Sequence, residues 1–470
     1  MKNFIITLLL LLTFELGAQE KSGISNAFTV EQAVAYGLEH NYDYLNSLTD
    51  VEIAKKMVKE TIAIGLPQVN AGISNTNYID IPTTLMPDFI SPAVYGVNQD
   101  NFGLIPITPL PDEVGTFPIK FGTKYNANAE ISVAQLVFSG EYLIGLKASK
   151  TFLMQTSQMV IKTEQNLKEQ ISKSYYLVLS IRKQKEILEK TLMTNNKLLN
   201  ETRQIYLNGF VEDTDVSQLE VIVNNLNINI QYLNNESLTA LNYLKLSMGL
   251  PLNDELELSD ELDVLLESSL LSASRNFVLE QNIDFQMLKT QLDLADLQIK
   301  RDQSTYLPQL SAFFNAQTNA MRNEFNFFDS SETWFPTTVW GFNLNIPIWS
   351  SGSRFSKVQQ SKLKRIKLDE STKQLSSVLK LEVQTAENSL QMHLSEYKNS
   401  IKNLELSEKI YNKTQIKFKE GLASSFDLIQ AHNNFLNAGG SYTTSILNIL
   451  NDRALLNRLY NRSENTSIKN

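Results

Sequence analysis

With 470 residues, 51 acidic against 42 basic side chains and a net charge of -9, the chain lacks the basic balance that a nucleic-acid partner would require. It contains no cysteine, which excludes a disulfide framework, a thiolate metal site and a lipidated N-terminal cysteine. Beyond Ala18 no apolar run approaches the roughly 20 residues of a spanning helix and the mean hydropathy is -0.19, so a membrane crossing requires a closed β-barrel, the other structure that satisfies every backbone group in lipid.

Lys2, an apolar run from Phe4 to Leu12 and the small-residue ending Leu16-Gly17-Ala18 have the layout of a secretory signal peptide cut after Ala18, which predicts export. Thr29 and Gln32 then form a capping box with Phe28 and Ala33 as its hydrophobic staple, predicting a helix from near Val30 to about Ile64. Gly65 and Pro67 end it. Strands are expected at about 67–80 and 119–138, where short polar and small residues alternate near period two. In the second of these, Phe121, Tyr125, Ile131 and Val133 share one face and Lys120, Lys124, Asn126, Asn128 and Glu130 the other. Such a strand suits either a barrel with an apolar outside and a wet inside or a half-buried soluble sheet. Between them, seven of the twelve prolines fall from Pro82 to Pro118, and residues 81–118 are read as a long external loop.

From Gly140 to Gly209 there is no proline and almost no internal glycine, which allows one helix of roughly 100 Å followed by a tight turn and a second helix to about residue 247. Val216, Leu219, Val223, Leu226, Ile230, Leu233, Ser237, Ala240 and Leu244 step by three and four, the spacing of a coiled coil. Gly249-Leu250-Pro251 and the acidic stretch that follows interrupt the pattern, so 249–272 reads as a linker or small side segment.

The chain then repeats itself. Leu66-Pro67-Gln68 recurs as Leu307-Pro308-Gln309, Phe138-Ser139-Gly140 as Trp349-Ser350-Ser351-Gly352, Tyr206 with Gly209 as Phe418 with Gly421, and Asp215-Val216 as Asp427-Leu428, in the same order at spacings of roughly 210 to 240 residues. Residues 19–248 are therefore a first structural repeat and 273–460 a second, with 461–470 as a tail. The second repeat predicts strands at about 308–320 and 336–348 and long helices over 353–460. Leu390, Leu394, Tyr397, Ile401, Leu404, Tyr411 and Phe418 form its helical stripe. The partner stripe runs Leu428, Ala431, Phe435, Ala438, Tyr442, Ser445, Ile449, Asp452 and Leu456. All three tryptophans, Trp334, Trp340 and Trp349, lie at or near the last strand, where Phe335 and Phe342 complete the aromatic cluster expected of a membrane-interface girdle.

In order, spacing and duplication, the opening Phe28-Thr29-Val30-Glu31-Gln32-Ala33 with Asn41, the two Leu-Pro-Gln starts, the two aromatic-Ser-Gly turns and the two Gly-x-x-x-x-x-Asp tips resemble the TolC-like outer membrane efflux protein family over essentially the whole mature chain. The resemblance implies a mixed α and β membrane protein. In it, a trimeric twelve-stranded outer-membrane β-barrel, four strands per chain, continues into a long periplasmic α-helical coiled-coil barrel. It also implies a passive duct serving a tripartite efflux or type I secretion system, with a periplasmic adaptor and an inner-membrane pump as partners besides outer-membrane lipid, no cofactor and no catalysis. Physical chemistry agrees that several chains are needed, because four strands cannot close a barrel and an open edge in lipid leaves backbone groups unpaired.

By the same resemblance, the periplasmic entrance is lined at Asp215, Asp427 and Gln430, and the adaptor docks on the turns Asn208-Gly209-Phe210 and Glu420-Gly421-Leu422. Carboxylates around a narrow axis would favour cations; an aspartate near a helix N-terminus equally serves as a cap. Gln430 stands where a second acidic residue is expected, Ala423 where some members place a basic latch, Phe418 where a tyrosine could join one, and Asn208 and Glu420 replace the usual valine. Glu212, Asp213 and Asp215 read as a solvated acidic turn rather than an ion site. His40, His393 and His432 each stand alone on a predicted helix, without a metal-ligand neighbour, and read as surface or groove positions. No phosphate loop, nucleophile elbow or carboxylate dyad appears in a strand-to-helix context, which sets aside an enzyme. A soluble periplasmic coiled-coil scaffold or adaptor accounts for the helices and the signal peptide, but not for paired strands at matching positions in both repeats.

Overall fold

In the computed structural model of the chain, residues 27–88, 94, 100–103, 115–271 and 276–460 are described. The expected signal peptide, much of the proline-rich loop and the C-terminal tail lie outside the described residues. The chain divides into two compact units, one containing Thr151–Leu294 and Lys364–Asn470 with the chain start to Lys55, the other Lys56–Lys150 with Ala295–Leu363.

The first unit is helical. Strand β1 (Ala27–Phe28) leads to α1 (Val30–His40), whose N-terminus has the expected capping box: the Gln32 backbone N–H donates to Thr29 Oγ1 at 3.2 Å and the Thr29 N–H to Gln32 Oε1 at 2.9 Å. The single helix expected from Val30 to Ile64 is in fact two, because Asn41 leaves the helix at φ -67° and ψ 128° and α2 (Tyr42–Ile64) starts anew. Asn41 stabilises the break by accepting from the Tyr44 N–H and donating to the Ser247 carbonyl, at 3.0 and 2.9 Å. The second repeat has the same device. Asn282, just before α6 (Ile283–Ser304), accepts from the N–H groups of Asp284 and Phe285 and donates to the Leu459 carbonyl at 3.1 Å. Both asparagines are buried, so each satisfies helix-terminal groups that water cannot reach.

The long helices are α3 (Gly140–Leu207), α4 (Asp213–Met248), α7 (Ser353–Lys419) and α8 (Ser425–Leu459). The three-and-four stripes are largely buried: Leu219, Leu226 and Leu244 on α4, and Leu428, Ile449 and Leu456 on α8. Asp452, the charged member of its stripe, meets His393 Nδ1 at 2.6 Å, so His393 has a partner in the seam rather than a free groove position. The interrupted segment after Met248 carries β6 (Glu257–Leu258), parallel to β1, and α5 (Leu262–Leu271). Leu256, Leu258, Leu262 and Leu266 join Ile171, Tyr175, Leu244 and Ile446 in one buried cluster, so this segment is part of a core. Polar ties fasten it: Tyr175 Oη donates to the Phe28 carbonyl at 2.7 Å, and Tyr442 Oη donates to Asp263, 3.0 Å from Lys183 Nζ.

The second unit is built on an antiparallel four-stranded sheet in the order β2-β5-β7-β8, from β2 (Gln68–Asn77), β5 (Tyr125–Phe138), β7 (Gln309–Arg322) and β8 (Phe335–Asn345). The strand expected from residue 119 starts only at Tyr125. Lys120 instead ends β4 (Thr116–Lys120), which pairs with β3 (Thr83–Pro87) to form a hairpin inside the segment read as a loop. Phe121 to Lys124 turn between the two strands, with Gly122 at φ 123°, so Lys120, Phe121 and Lys124 do not share faces with β5.

Candidate functional site: a two-faced sheet and two helical tips

Register across the sheet sorts its residues by chemistry. One face carries the row Val69, Val133, Phe314, Trp340 and the row Ala71, Ile131, Ala316, Thr338, with Ile73, Ala129, Leu310, Ala312, Phe342 and Leu344. The other carries Ser74, Asn128, Asn319 and Gly72, Glu130, Gln317, Thr337, with Asn70, Ser132 and Asn315; it turns apolar at Phe313 and, on β8, at Val339 and Phe335, so Phe335 lies on the face opposite Trp340 and Phe342 rather than in one girdle with them. A soluble sheet covers its apolar face, yet in the single chain Val69 is 66%, Ile73 89%, Trp340 72% and Phe342 64% exposed. Both outer strands, β2 and β8, have one unpaired edge. An exposed apolar face, a polar opposite face and two open edges are the features of a sheet that must be completed by further copies in an apolar solvent.

The two helical hairpins end in turns with the same backbone. Gly209 and Gly421 take φ 79° and 73°, a left-handed conformation that glycine adopts without Cβ strain. The Gly209 and Phe210 N–H groups donate to the carbonyls of Tyr206 and Ile205, and those of Gly421 and Leu422 to Phe418 and Lys417, so both helices close in a Schellman motif. Asn208 and Glu420 precede the glycines, and Phe210 and Leu422 stand 80% and 73% exposed.

Side chains differ where the backbones agree. Ser424 caps α8 in a complete box: the Asp427 N–H donates to Ser424 Oγ at 3.2 Å, while the Ser424 hydroxyl and N–H donate to Asp427 Oδ2 at 2.7 and 3.0 Å. The hydroxyl bond, then the backbone bond, hold the Asp427 carboxyl below its ordinary range. At the matching position of α4, Glu212 makes no side-chain cap bond, and Asp215 is the half-buried third residue of the first turn. Gln430 is exposed and donates to Asn434 at 3.1 Å. Ser424 is therefore the N-cap and Asp427 its partner in the box, one of the two roles open to this aspartate, whereas Asp215 makes no such bond.

Two ion pairs flank the tips: Arg203 with Glu220 joins α3 to α4, and Lys419 with Glu201 joins α7 to α3. Lys419 and Glu201 were not singled out by the sequence, and no short-range pattern links them. Deeper in the same hairpins, Asn195 Nδ2 donates to Tyr411 Oη at 2.7 Å, and Tyr411 packs against His432 and Phe435. His432 is buried, at 4% exposed, against the surface or groove position expected of it. Desolvation pushes it down to about 4, so it is neutral at physiological pH. Burial pushes Tyr411 up to about 12. Among the described residues no His, Asp and Glu group could hold a metal ion, and no helix is long and apolar enough to cross a membrane.

Residues 276–461 match the model of the outer membrane efflux protein family. No curated protein matches the chain by sequence. Solved structures match it by fold. The Campylobacter jejuni CmeC outer membrane channel superposes with a TM-score of 0.70 at 14% identity, over 93% of this chain and 86% of that one. The outer membrane protein VceC from Vibrio cholerae gives 0.67 at 14%, over 92% and 95%, and CusC, crystallised to follow its transmembrane channel formation, 0.70 at 15%, over 92% of each. The second repeat thus matches the outer membrane efflux protein family, and over nine-tenths of its length the chain has the fold of these solved outer membrane channels.

Proposed function

We propose that the chain is the outer-membrane subunit of a tripartite export assembly, a passive duct in which several copies close one barrel and their helices continue as a tunnel in the periplasm. The observation that carries this reading is the exposed apolar face of a four-stranded sheet with two unpaired edges. Three copies are the smallest set that leaves a lumen. Two would give eight strands, whose interior side chains nearly fill a barrel, and three give twelve. The polar face, Asn70, Gly72, Ser74, Asn128, Glu130, Asn315 and Gln317, then lines a wet interior. Export by such a duct needs no catalytic group and no cofactor; energy and selection come from an inner-membrane pump through a periplasmic adaptor.

The hairpin turns are the proposed periplasmic entrance. Asp215, Asp427 and Gln430 face the axis when copies are arranged around it, and Asn208, Gly209, Phe210, Glu420, Gly421 and Leu422 receive the adaptor, with Phe210 and Leu422 as apolar contacts. The test is single-channel conductance of the purified oligomer in a planar bilayer, beside a double Asp215→Asn, Asp427→Asn variant. Asparagine keeps an acceptor for the Ser424 cap while removing the charge. A cation-preferring wild type and a less selective variant are expected. Equal selectivity would reduce both aspartates to structural roles, and absence of any conductance would favour a periplasmic scaffold.

A further inference from the structure

We propose that the first turns of α7, together with Trp349 ahead of them, form a contact surface for anionic phospholipid headgroups at the helix end of the sheet. The inference rests on the reading of the sheet as a membrane barrel. From Ser353 to Leu368 the chain carries Arg354, Lys357, Lys362, Lys364, Arg365 and Lys367 and no acidic residue, within a protein whose net charge is -9. The matching start of α3, from Gly140 to Gln155, has only Lys147 and Lys150 with Glu141, so the shared fold does not demand this concentration of charge.

Partners absorb part of it. Arg354 donates to the Pro347 carbonyl at 3.2 Å and lies over the Tyr306 ring, Lys357 is 3.7 Å from the buried Asp302, and Arg365 pairs with Asp369 at 3.6 Å. Lys362, Lys364 and Lys367 are exposed and enter no ion pair among the described residues. Beside them stand Ile348 at 90%, Trp349 at 83% and Phe355 at 62% exposure. Apolar and aromatic side chains followed by lysines are the order in which a protein surface meets acyl chains and then headgroups.

Distances along the helix fit as well. The apolar sheet face reaches Leu344, and α7 begins at Ser353. At about 1.5 Å per residue Lys357 lies within roughly two turns of that start and Lys364 within about three. The inner group meets a headgroup directly; the outer one starts more than a Debye length out, and its long side chain, tilted toward the helix N-terminus, reaches back toward the surface.

The experiment places the full-length oligomer in nanodiscs of phosphatidylcholine alone, or with about a third phosphatidylglycerol, and counts retained lipids by native mass spectrometry. Wild type is expected to retain phosphatidylglycerol above its bulk share, and a Lys357→Gln, Lys362→Gln, Lys364→Gln variant to lose that enrichment by ~3-fold or more. A Lys409→Gln, Lys413→Gln control, altered farther along α7 at exposed positions, should match wild type. No enrichment in wild type, an equal loss in the control, or dissociation of the triple variant into single chains would overturn the proposal, the last by assigning the lysines to contacts between copies. Failure of wild type to enter either bilayer would instead refute the barrel reading beneath it.

Discussion

The two repeats agree at their buried helix junctions and diverge at their tips. Asn41 and Asn282 play the same part, each ending one segment, accepting from the first turn of the next helix, Asn41 one N–H and Asn282 two, and tying to a carbonyl near the end of a long helix, Ser247 or Leu459. At the tips Gly209 and Gly421 keep one backbone, but Ser424 caps where Glu212 does not, and the position matching the exposed-side pair Glu220–Arg203 is the buried His432. A duplicated fold thus retains what a buried backbone group requires, because an unmet hydrogen bond is costly there. Where no buried backbone group is at stake the two copies are free to differ, at the exposed cap and at the buried His432 alike.

The junctions give the largest expected effect. Asn282→Leu leaves the Leu459 carbonyl and two helix-terminal N–H groups without a partner and should cost about 3 kcal/mol; Asn41→Leu, with fewer bonds to lose, about 2 kcal/mol. Denaturant unfolding of the purified protein measures both. A neutral result at either site would break the equivalence of the repeats at the place where it looks strongest.

His432 sharpens the contrast through pH. Its folded pKa of about 4 lies below the ordinary histidine value, so between pH 6.5 and 4 the unfolded chain takes up a proton that the folded one refuses. Stability should therefore fall as pH drops through that window, by about 3 kcal/mol, and level off below it. His432→Gln should flatten this part of the curve, and Glu220→Gln at the matching position should leave it unchanged. A profile that persists in His432→Gln would mean that another group carries it.

How much of this was legible in the sequence depends on the range of the interaction. The Thr29–Gln32 box, the glycine turns and the helical stripes are set within a few residues, and so are readable directly. The two-faced sheet was visible in Asn126, Asn128, Glu130, Ile131 and Val133, but β3 and β4 were not, because prolines mask a hairpin at its edges. Asn282 could have been found: the offset that carries Leu66 to Leu307 also carries Asn41 to Asn282. The break at Asn41 was missed because its cause, the Ser247 carbonyl, is remote in sequence. His432, outside the apolar stripe, reads as a surface or groove position until Tyr411 is seen to pack on it.

Gly209→Ala and Gly421→Ala should each cost about 1 kcal/mol or slightly more, since both force a Cβ into the left-handed region. Hydrogen exchange in the last turns of α3 and α7 reports the two separately. Unequal values would mean that the tips already differ in backbone strain and not only in side chains.

The smallest effect tests the divergence most directly, because it can be transplanted. Ser424→Ala removes the acceptor for the Asp427 N–H and should loosen the first turn of α8 by about 1 kcal/mol, whereas Glu212→Ala should change little. Glu212→Ser places a serine three residues before Asp215, the arrangement that Ser424 and Asp427 have, and should protect the first turn of α4 by a similar amount. The pH dependence should move with it. Asp427 has a depressed folded pKa, so its contribution is present above the ordinary carboxylate range and lost as pH falls through the folded value; the cap built by Glu212→Ser should bring the same acid sensitivity to α4. If amide exchange in α4 does not respond to this change, the difference between the tips lies in how Asp215 is held rather than in the missing serine.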